Sequence, residues 1–298
     1  MLLMNVAIVI VTFNRLQLLK ECIDSALNQE EVSTELVVVN NKSTDGTYEY
    51  LQALNDKRIH CIHEQNNIGG AGGFHDGVKY AYEHTKCDWI LLIDDDAMIS
   101  SDYLNKIKKC ISDRYMAYAG AVYVNDKIDI RHRTRKENGA VLVGEYSKPC
   151  FLCDVATFCG LLISRRLVEL IGYPRKDFFI WEDDTEYCYR IMKDSEILVV
   201  TSAILNHKTV NPSYKVGNSI KDDWKWYYGF RNQLVMYRAY DKRRYISKLF
   251  KLYGKAVEYK IKGTLCHKQS EENLYNSSLR FDAIKDAHLG NMGKSLKY

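Results

Sequence analysis

The first hydrophobic block, "VAIVIV" (6–11), is continuous rather than alternating, as expected of a strand covered on both faces. Residues 15–29 then place Leu16, Leu19, Ile23, Ala26 and Leu27 at helical spacing. "ELVVVNN" (35–41) predicts a second buried strand, "STDGT" a turn into a helix at 47–54, and "RIHCIHE" (58–64) a third strand. A glycine-rich loop, a helix from about Phe74 to His84 and a strand at 88–94 follow. Strands alternating with helices in this way predict an α/β fold, a mostly parallel sheet flanked by helices. In such sheets ligands lie beyond the carboxyl ends of the strands. The polar ends "TFNR", "NNKSTDGT", "NNIGGAGG" and "DDDA" each follow an apolar strand and are expected to converge on one crevice.

Beyond residue 100 the alternation weakens. "YMAYAGAVYV" (115–124) predicts another strand, and 125–150 is polar and basic, a loop or hairpin. "ATFCGLLISRRLVELIG" (156–172) is apolar, "FFIWEDDTEYCYRIMK" leads into a helix, and "EILVVTSAILNHK" (196–208) predicts a late strand ending in His207. From about Asp222 the chain reads as helical and rich in Tyr, Lys and Arg. Two domains are expected, 1–215 and a C-terminal helical region at 216–298.

Charge sharpens that division. The net charge of +4 conceals a basic tail: from Lys215 onward there are 18 Lys and Arg against 8 Asp and Glu. The apolar fraction of 46% and charged fraction of 27% are those of a globular protein. No run approaches the roughly 18 apolar residues that read as a membrane span. The opening residues lack a basic leader and read as a first strand, so a cytoplasmic protein is expected. Nine cysteines are then expected to be reduced. The lone Cys150-x-x-Cys153 has no second pair or spaced histidine and reads as buried thiols rather than a zinc site.

The candidate chemistry begins at "DWILLIDDDAMI" (88–99), where a buried strand runs into Asp94, Asp95 and Asp96. Close carboxylates at the mouth of an apolar sheet repel unless a cation sits among them. A hard divalent ion such as Mn2+ or Mg2+ suits that position, because it takes a few carboxylates and completes its shell with phosphate oxygens or water. A solvated turn carrying a helix cap is the plainer alternative. "NNIGGAGGF" (66–74), with Asn67, Gly69, Gly70 and Gly73, allows close backbone approach at a helix N-terminus, which favours anions. It lacks the spacing and position of a dinucleotide fingerprint, and no NTPase phosphate loop is present. Loop and acids together suggest a nucleotide diphosphate ligand.

The series "VIVTFNR", "LVVVNNKSTDGT", "NNIGGAGGF", "ILLIDDDA" and "FFIWEDDTEY" resembles glycosyltransferase family 2 on the GT-A fold, over roughly residues 5–210. The glycine loop, D-D-D and the W-x-D-D-x-E-Y-like block look most like bacterial galactofuranosyltransferases; related rhamnosyltransferases share much of it. The resemblance implies a Rossmann-like nucleotide-sugar-binding domain. It places Thr12, Asn14 and Arg15 along the nucleotide and Asn41 where the family commonly has an aspartate contacting the base. It places Asp94 and Asp96 on the metal, Asp95 at the sugar or ribose, and Asp184 as catalytic base, in D-x-E-Y with Glu186. His207 matches a histidine that completes the metal site in some members. Glu182, Asp183 and Asp184 also cluster before a helical run, where the helix dipole alone favours acids. Trp181, Phe178 and Phe179 offer apolar walls for a sugar face or ordinary core.

The implied function is inverting, metal-dependent transfer of a sugar, galactofuranose from a UDP-sugar, onto a hydroxyl of a surface glycan such as O-antigen or capsule, free or lipid-linked. A rhamnosyltransferase using dTDP-rhamnose, a pyrophosphorylase and a non-catalytic sugar-nucleotide-binding scaffold are the alternatives. In the tail, Tyr227–Asn232 repeats a Y-Y-x-x-R-N pattern of related transferases. Residues 240–262 form a basic amphipathic helix, with Ile246, Leu249, Phe250, Tyr253 and Val257 opposite Lys248, Lys251, Lys255 and Lys262. Such a helix can contact a membrane as a peripheral element, cover the catalytic domain or pair with a second subunit in a homo-oligomer. No nucleic-acid-binding module is recognised.

Overall fold

The structure, a computed structural model, describes residues 4–135, 139–140, 143–208, 224–265 and 269–298. The chain forms two compact units, Met1–Arg175 with Asp184–Pro212, and Lys176–Asp183 with Ser213–Tyr298. The domain boundary expected at 215/216 lies outside the described residues, as do Asp222 and Cys266.

The first unit opens with β1 (Met4–Thr12), α1 (Leu16–Leu27), β2 (Val32–Asn40), α2 (Thr47–Ala53), β3 (Ile59–His63), α3 (Gly69–His84) and β4 (Trp89–Asp94). These four strands pair in parallel in the order β4-β1-β2-β3. The continuous apolar run of β1 is explained by its place. Val6, Ile8 and Ile10 enter the core on one face of the sheet, and Ala7 and Val9 the core on the other. Each branched side chain so buried contributes roughly 1.5–3 kcal/mol. The register sets Val11 opposite Asp94, Thr12 opposite Asn40, and Asn40 opposite His63. The polar strand ends therefore meet along one edge, as the sequence predicts.

The glycine segment differs from expectation. It is not a loop before a helix at Phe74; α3 already begins at Gly69. The glycines serve packing: a Cβ on Gly73 would come within 2.5 Å of Val11, and one on Gly77 within 2.3 Å of Val9. α3 thus lies against β1 more closely than any side chain would permit.

The rest of this unit comprises β5 (Ala97–Ile99), α4 (Tyr103–Lys108), β6 (Ala117–Val124), β7 (Lys127–Ile128), β8 (Arg133–Arg135), β9 (Gly139–Ala140), β10 (Cys150–Cys153), β11 (Val155–Ala156), β12 (Leu161–Ser164), α5 (Arg165–Ile171), α6 (Asp183–Ile191, its first residue assigned to the other unit) and β13 (Ile197–His207). β12 runs antiparallel between β4 and β6, and β13 runs parallel to β6. The stretch 125–150, read as a loop or hairpin, contributes short strands: β7 pairs with β6, while β8 joins β9 and β11 in a small second sheet. Arg133 of β8 is fully buried, its guanidinium donating to the carbonyls of Gly120, His132 and Cys159. The eight described cysteines are free.

The second unit consists of α7 (Trp224–Tyr240), α8 (Lys242–Leu265) and α9 (Ser270–Leu289), with the segment Lys176–Asp183. Tyr227 donates to Asp286 at 2.7 Å and stacks on Tyr298, joining α7 to α9 and the C-terminal residues. No described helix is long and apolar enough to cross a membrane.

Candidate active site

β4 delivers Asp94 to the strand edge, and the tight turn to β5 carries Asp95 and Asp96, both buried. The cation that this cluster demands is supplied in part by the chain itself. Arg15, from the turn between β1 and α1, donates through one nitrogen to Asp95 at 3.1 Å and Asp96 at 2.7 Å. Thr12 donates its hydroxyl to the other Asp95 oxygen at 2.8 Å. Asp95, expected at a sugar or ribose, is thus held by the β1 end, and Arg15, expected along a nucleotide, is bound to two acids.

β13 closes the cluster from the other side. Its last residues pair with β5, setting His207 opposite Ala97, and the Lys208 amide donates to the Asp96 carbonyl. His207 Nε2 lies 3.0 Å from Asp96 Oδ1. Ligand atoms of Asp94, Asp96 and His207 all fall within 4.8 Å of one another. The charges remain unbalanced. Burial, then the neighbouring Asp96, pushes the Asp94 carboxyl up to about 7; burial, helped by Asp96, pushes Asp95 up to about 6 against the pull of Arg15 and Thr12. Burial also opposes the charged form of Asp96, but the His207 hydrogen bond and charge outweigh it and hold that carboxyl below its usual range. His207 is raised in turn, burial being overcome by Asp96 and Asp94.

A neighbour of this site was not foreseen. His132, from the polar stretch before β8, sets its ring edge-on to His207 at 5.2 Å between centroids and meets the Thr157 hydroxyl at 2.7 Å. Burial, with Arg133 and His207 beside it, depresses His132 to about 3, so it is neutral. His132, Cys159 and His207 also cluster. Burial pushes the Cys159 thiol well above its usual range, which keeps it a poor ligand. A lone histidine in a polar run carries no signal that would have found it.

The nucleotide-side residues form a second knot. Asn14 accepts from the Thr44 amide at 2.7 Å, tying the β1–α1 turn to the loop after β2. Asn41, buried, accepts from the Ile68 amide and donates to the Gly69 carbonyl; Asn67 accepts from the Gly69 amide. The two asparagines therefore cap the start of α3, whose Gly69 needs its positive φ of 76°. Gly70 stands open, with nothing within 4 Å of where a Cβ would be.

Asp184 sits in the first turn of α6 and accepts from the Thr185 amide at 2.6 Å. Burial raises its pKa against that hydrogen bond. Glu186, its partner in the motif, is spent on Arg190 at 3.0 Å. Trp181 and Asp183 belong to the second unit. There the segment before α6 turns through left-handed backbone at three residues that are not glycine: Phe179, Trp181 and Glu182. Asn232 of α7, fully buried, donates its amide to the carbonyls of Phe178, Ile180 and Trp181 at 2.9, 3.1 and 2.9 Å. Arg231 donates to the Phe178 carbonyl at 3.1 Å.

The mostly parallel sheet, its flanking helices and the C-terminal helices define a GT-A type fold. Residues 7–171 match Glycosyl transferase family 2, and the chain belongs to that family. It is 25% identical over 243 residues to dTDP-rhamnosyl transferase RfbF of Shigella flexneri, covering 78% of this chain and 80% of that protein. It is 24% identical over 189 residues to UDP-Glc:alpha-D-GlcNAc-diphosphoundecaprenol beta-1,3-glucosyltransferase WfaP of Escherichia coli, covering 59% and 68%. Among solved structures, the mannosyltransferase PcManGT of Pyrobaculum calidifontis, in complex with GDP-Man and Mn2+, superposes with a TM-score of 0.54 at 17% identity, over 98% of this chain and 76% of that one.

Proposed function

We propose that the protein transfers a hexose from a nucleotide diphosphate sugar to a hydroxyl of a bacterial surface-glycan acceptor, with inversion at the anomeric carbon. The observation that carries this reading is the set of Asp94, Asp96 and His207 ligand atoms within 4.8 Å of one another at a strand edge. Two carboxylates and an imidazole fit Mn2+, and Mg2+ less well because it prefers oxygen. Burial and then Asp96 raise the Asp94 carboxyl, and a cation there would favour its ionised form. When bound there, such an ion supplies neutralisation of the diphosphate.

The protein's own groups do the rest. Arg15, half-exposed beside Asp95 and Asp96, is free to turn its charge toward a phosphate. The Asn41–Asn67 knot fixes the start of α3, and a helix N-terminus favours an anion such as a phosphate. Asp184 takes the acceptor hydroxyl proton as the new oxygen–carbon bond forms and the bond to the nucleotide diphosphate breaks; burial suits it to that task by raising its affinity for a proton.

UDP-galactofuranose is the donor that the motif series supports. dTDP-rhamnose is the second reading, favoured by the RfbF relative matched over most of both chains. The WfaP relative, whose name specifies a diphosphoundecaprenol acceptor, supports a lipid-linked acceptor here. The test is transfer with each donor, with and without Mn2+, and proton NMR of the product; retained configuration excludes the single displacement. Asp184→Asn should lower kcat by about 10²–10⁴-fold with donor affinity preserved. Loss of donor binding instead would remove Asp184 from the role of base.

A further inference from the structure

α8 is 24 residues long and uses only part of its circumference to pack. Leu252, Ala256 and Gly263 face α9, where Ser277 donates to the Ala256 carbonyl and a Cβ on Gly263 would strike Leu274 at 2.8 Å. Lys248, expected on the polar face, turns inward over the Phe230 ring, and burial lowers its pKa. Among the described residues the opposite side is apolar and largely exposed, with Tyr253 edge-on to Phe281 of α9. Ile246, Phe250, Tyr253, Ile261 and Leu265 recur at helical spacing and are 52–75% exposed, Phe250 reaching 72%. Apolar residues of this size at the surface, in one line along a helix, mark an interaction site.

The charges beside the line identify the partner. Lys242 and Lys260 lie along one side of the stripe and Lys251, Lys255 and Lys262 along the other, all exposed, and Arg243 stands within it near its start. Glu258 is the one acid in the helix, and it is spent on Lys255 and Lys262. An apolar strip between two rows of cations complements a bilayer surface, with acyl chains under the strip and anionic headgroups against the lysines. A protein groove would have to bring acids to both sides at once.

We propose that α8 lies in the plane of an anionic phospholipid membrane, inserting Ile246, Phe250, Tyr253, Ile261 and Leu265 below the headgroups. The helix binds the surface rather than crossing it, because lysines flank the strip on both sides and the helix is not apolar enough to span a bilayer. The inference stands apart from donor identity and catalysis; a lipid-linked acceptor would only give it a purpose.

The test is co-sedimentation of the full chain, without donor or acceptor, with vesicles of equimolar phosphatidylglycerol and phosphatidylethanolamine or of phosphatidylcholine alone. Binding is expected to the anionic vesicles, to fall with added salt, and to be weak on phosphatidylcholine. Phe250→Glu with Ile261→Glu should abolish binding, and Lys251→Glu with Lys255→Glu should weaken it about tenfold or more. Both sites are exposed, so circular dichroism and thermal melting should match the parent. Absence of binding to the anionic vesicles overturns the proposal, as does binding unchanged in the Phe250→Glu, Ile261→Glu protein. A dimer in sedimentation equilibrium that these glutamates dissolve, with no vesicle binding by the parent, assigns the face to a second copy instead.

Discussion

Nη1 of Arg15 lies 2.7 Å from Oδ2 of Asp96, so the acid cluster at the β4 edge already holds one positive charge of its own. The same nitrogen serves Asp95 at 3.1 Å. The Arg15 side chain is half exposed, and an ion pair in that setting is worth about 1 kcal/mol or less. It is strong enough to quiet the acids and weak enough to be displaced. Arg15→Ala should therefore tighten Mn2+ binding to the donor-free protein, by up to about fivefold, as titrated by electron paramagnetic resonance. Unchanged or weaker binding would show that Arg15 is not the resident counter-charge.

His207 and Asp94 should behave as a pair in the opposite sense. Removing a ligand from a set of three leaves the ion held by two side chains, so His207→Ala and Asp94→Asn should each raise the Mn2+ dissociation constant by about 10–100-fold, comparable to or beyond the loss of an outer-shell partner. Isothermal titration without donor separates this from effects on transfer. Parent-like Mn2+ affinity in both variants would place the ion elsewhere.

The raised carboxyls make a pH prediction with a definite sign. Asp94 and Asp95 bind protons more tightly folded, at about 7 and about 6, than at the ordinary 3.8 of the unfolded chain. Between those limits the native state holds more protons, so stability falls as pH rises from about 4 to 7 and then levels. His207, also raised, adds a loss as pH climbs through its folded value. Asp96, lowered, acts oppositely, its contribution vanishing only in acid below the ordinary carboxylate range. His132, depressed from 6.5 to about 3, gains stability as pH rises toward 6.5 and offsets part of the decline from the two aspartates. The melting temperature of metal-free protein should thus decline over that window, and Mn2+ should restore it most at the alkaline end. A melting temperature that rises from pH 5 to 7 without metal would contradict the burial of these groups.

How much of this was legible in the sequence follows from where side-chain pattern determines structure. The parallel half of the sheet was readable because strand segments buried on both faces must be continuously apolar, as residues 6–11 of β1 and 36–39 of β2 are. His207 was readable because β13 is a long apolar run with a polar end. The glycine segment misled because Gly73 and Gly77 answer to Val11 and Val9, residues distant in sequence. Asn41, expected at the base, also pairs its side-chain amide with the backbone at Ile68 and Gly69, a pairing that no local pattern announces. Arg15 as partner of the acids and His132 as neighbour of His207 were invisible for the same reason. Nor could the sequence reveal left-handed backbone at Phe179, Trp181 and Glu182, since bulky residues avoid it unless their surroundings enforce it.

What enforces it is Asn232. Its amide nitrogen shares two hydrogens among the carbonyls of Phe178, Ile180 and Trp181. Because Phe178 also accepts from Arg231 and the Ile180 amide, the contacts to Ile180 and Trp181 are the ones that depend on it in a segment that local preference would leave in another shape. Gln233 adds a bond to Glu182 at 2.6 Å. Each left-handed residue of this kind costs on the order of 1–3 kcal/mol, and relaxing that strain would offset part of what is lost with the amide. Leaving buried acceptors unpaired costs about 1–3 kcal/mol apiece. Asn232→Ala is accordingly expected to destabilise the second unit by about 2–4 kcal/mol net, read as a shift in the urea midpoint. Asn232→Asp keeps the size but replaces the donor by oxygen facing oxygen, and should be at least as damaging near neutral pH. Gln233→Ala, which removes a bond to a half-buried side chain and leaves the carbonyls satisfied, should cost far less. If all three variants melt alike, the left-handed turn is held by something other than the amide of Asn232.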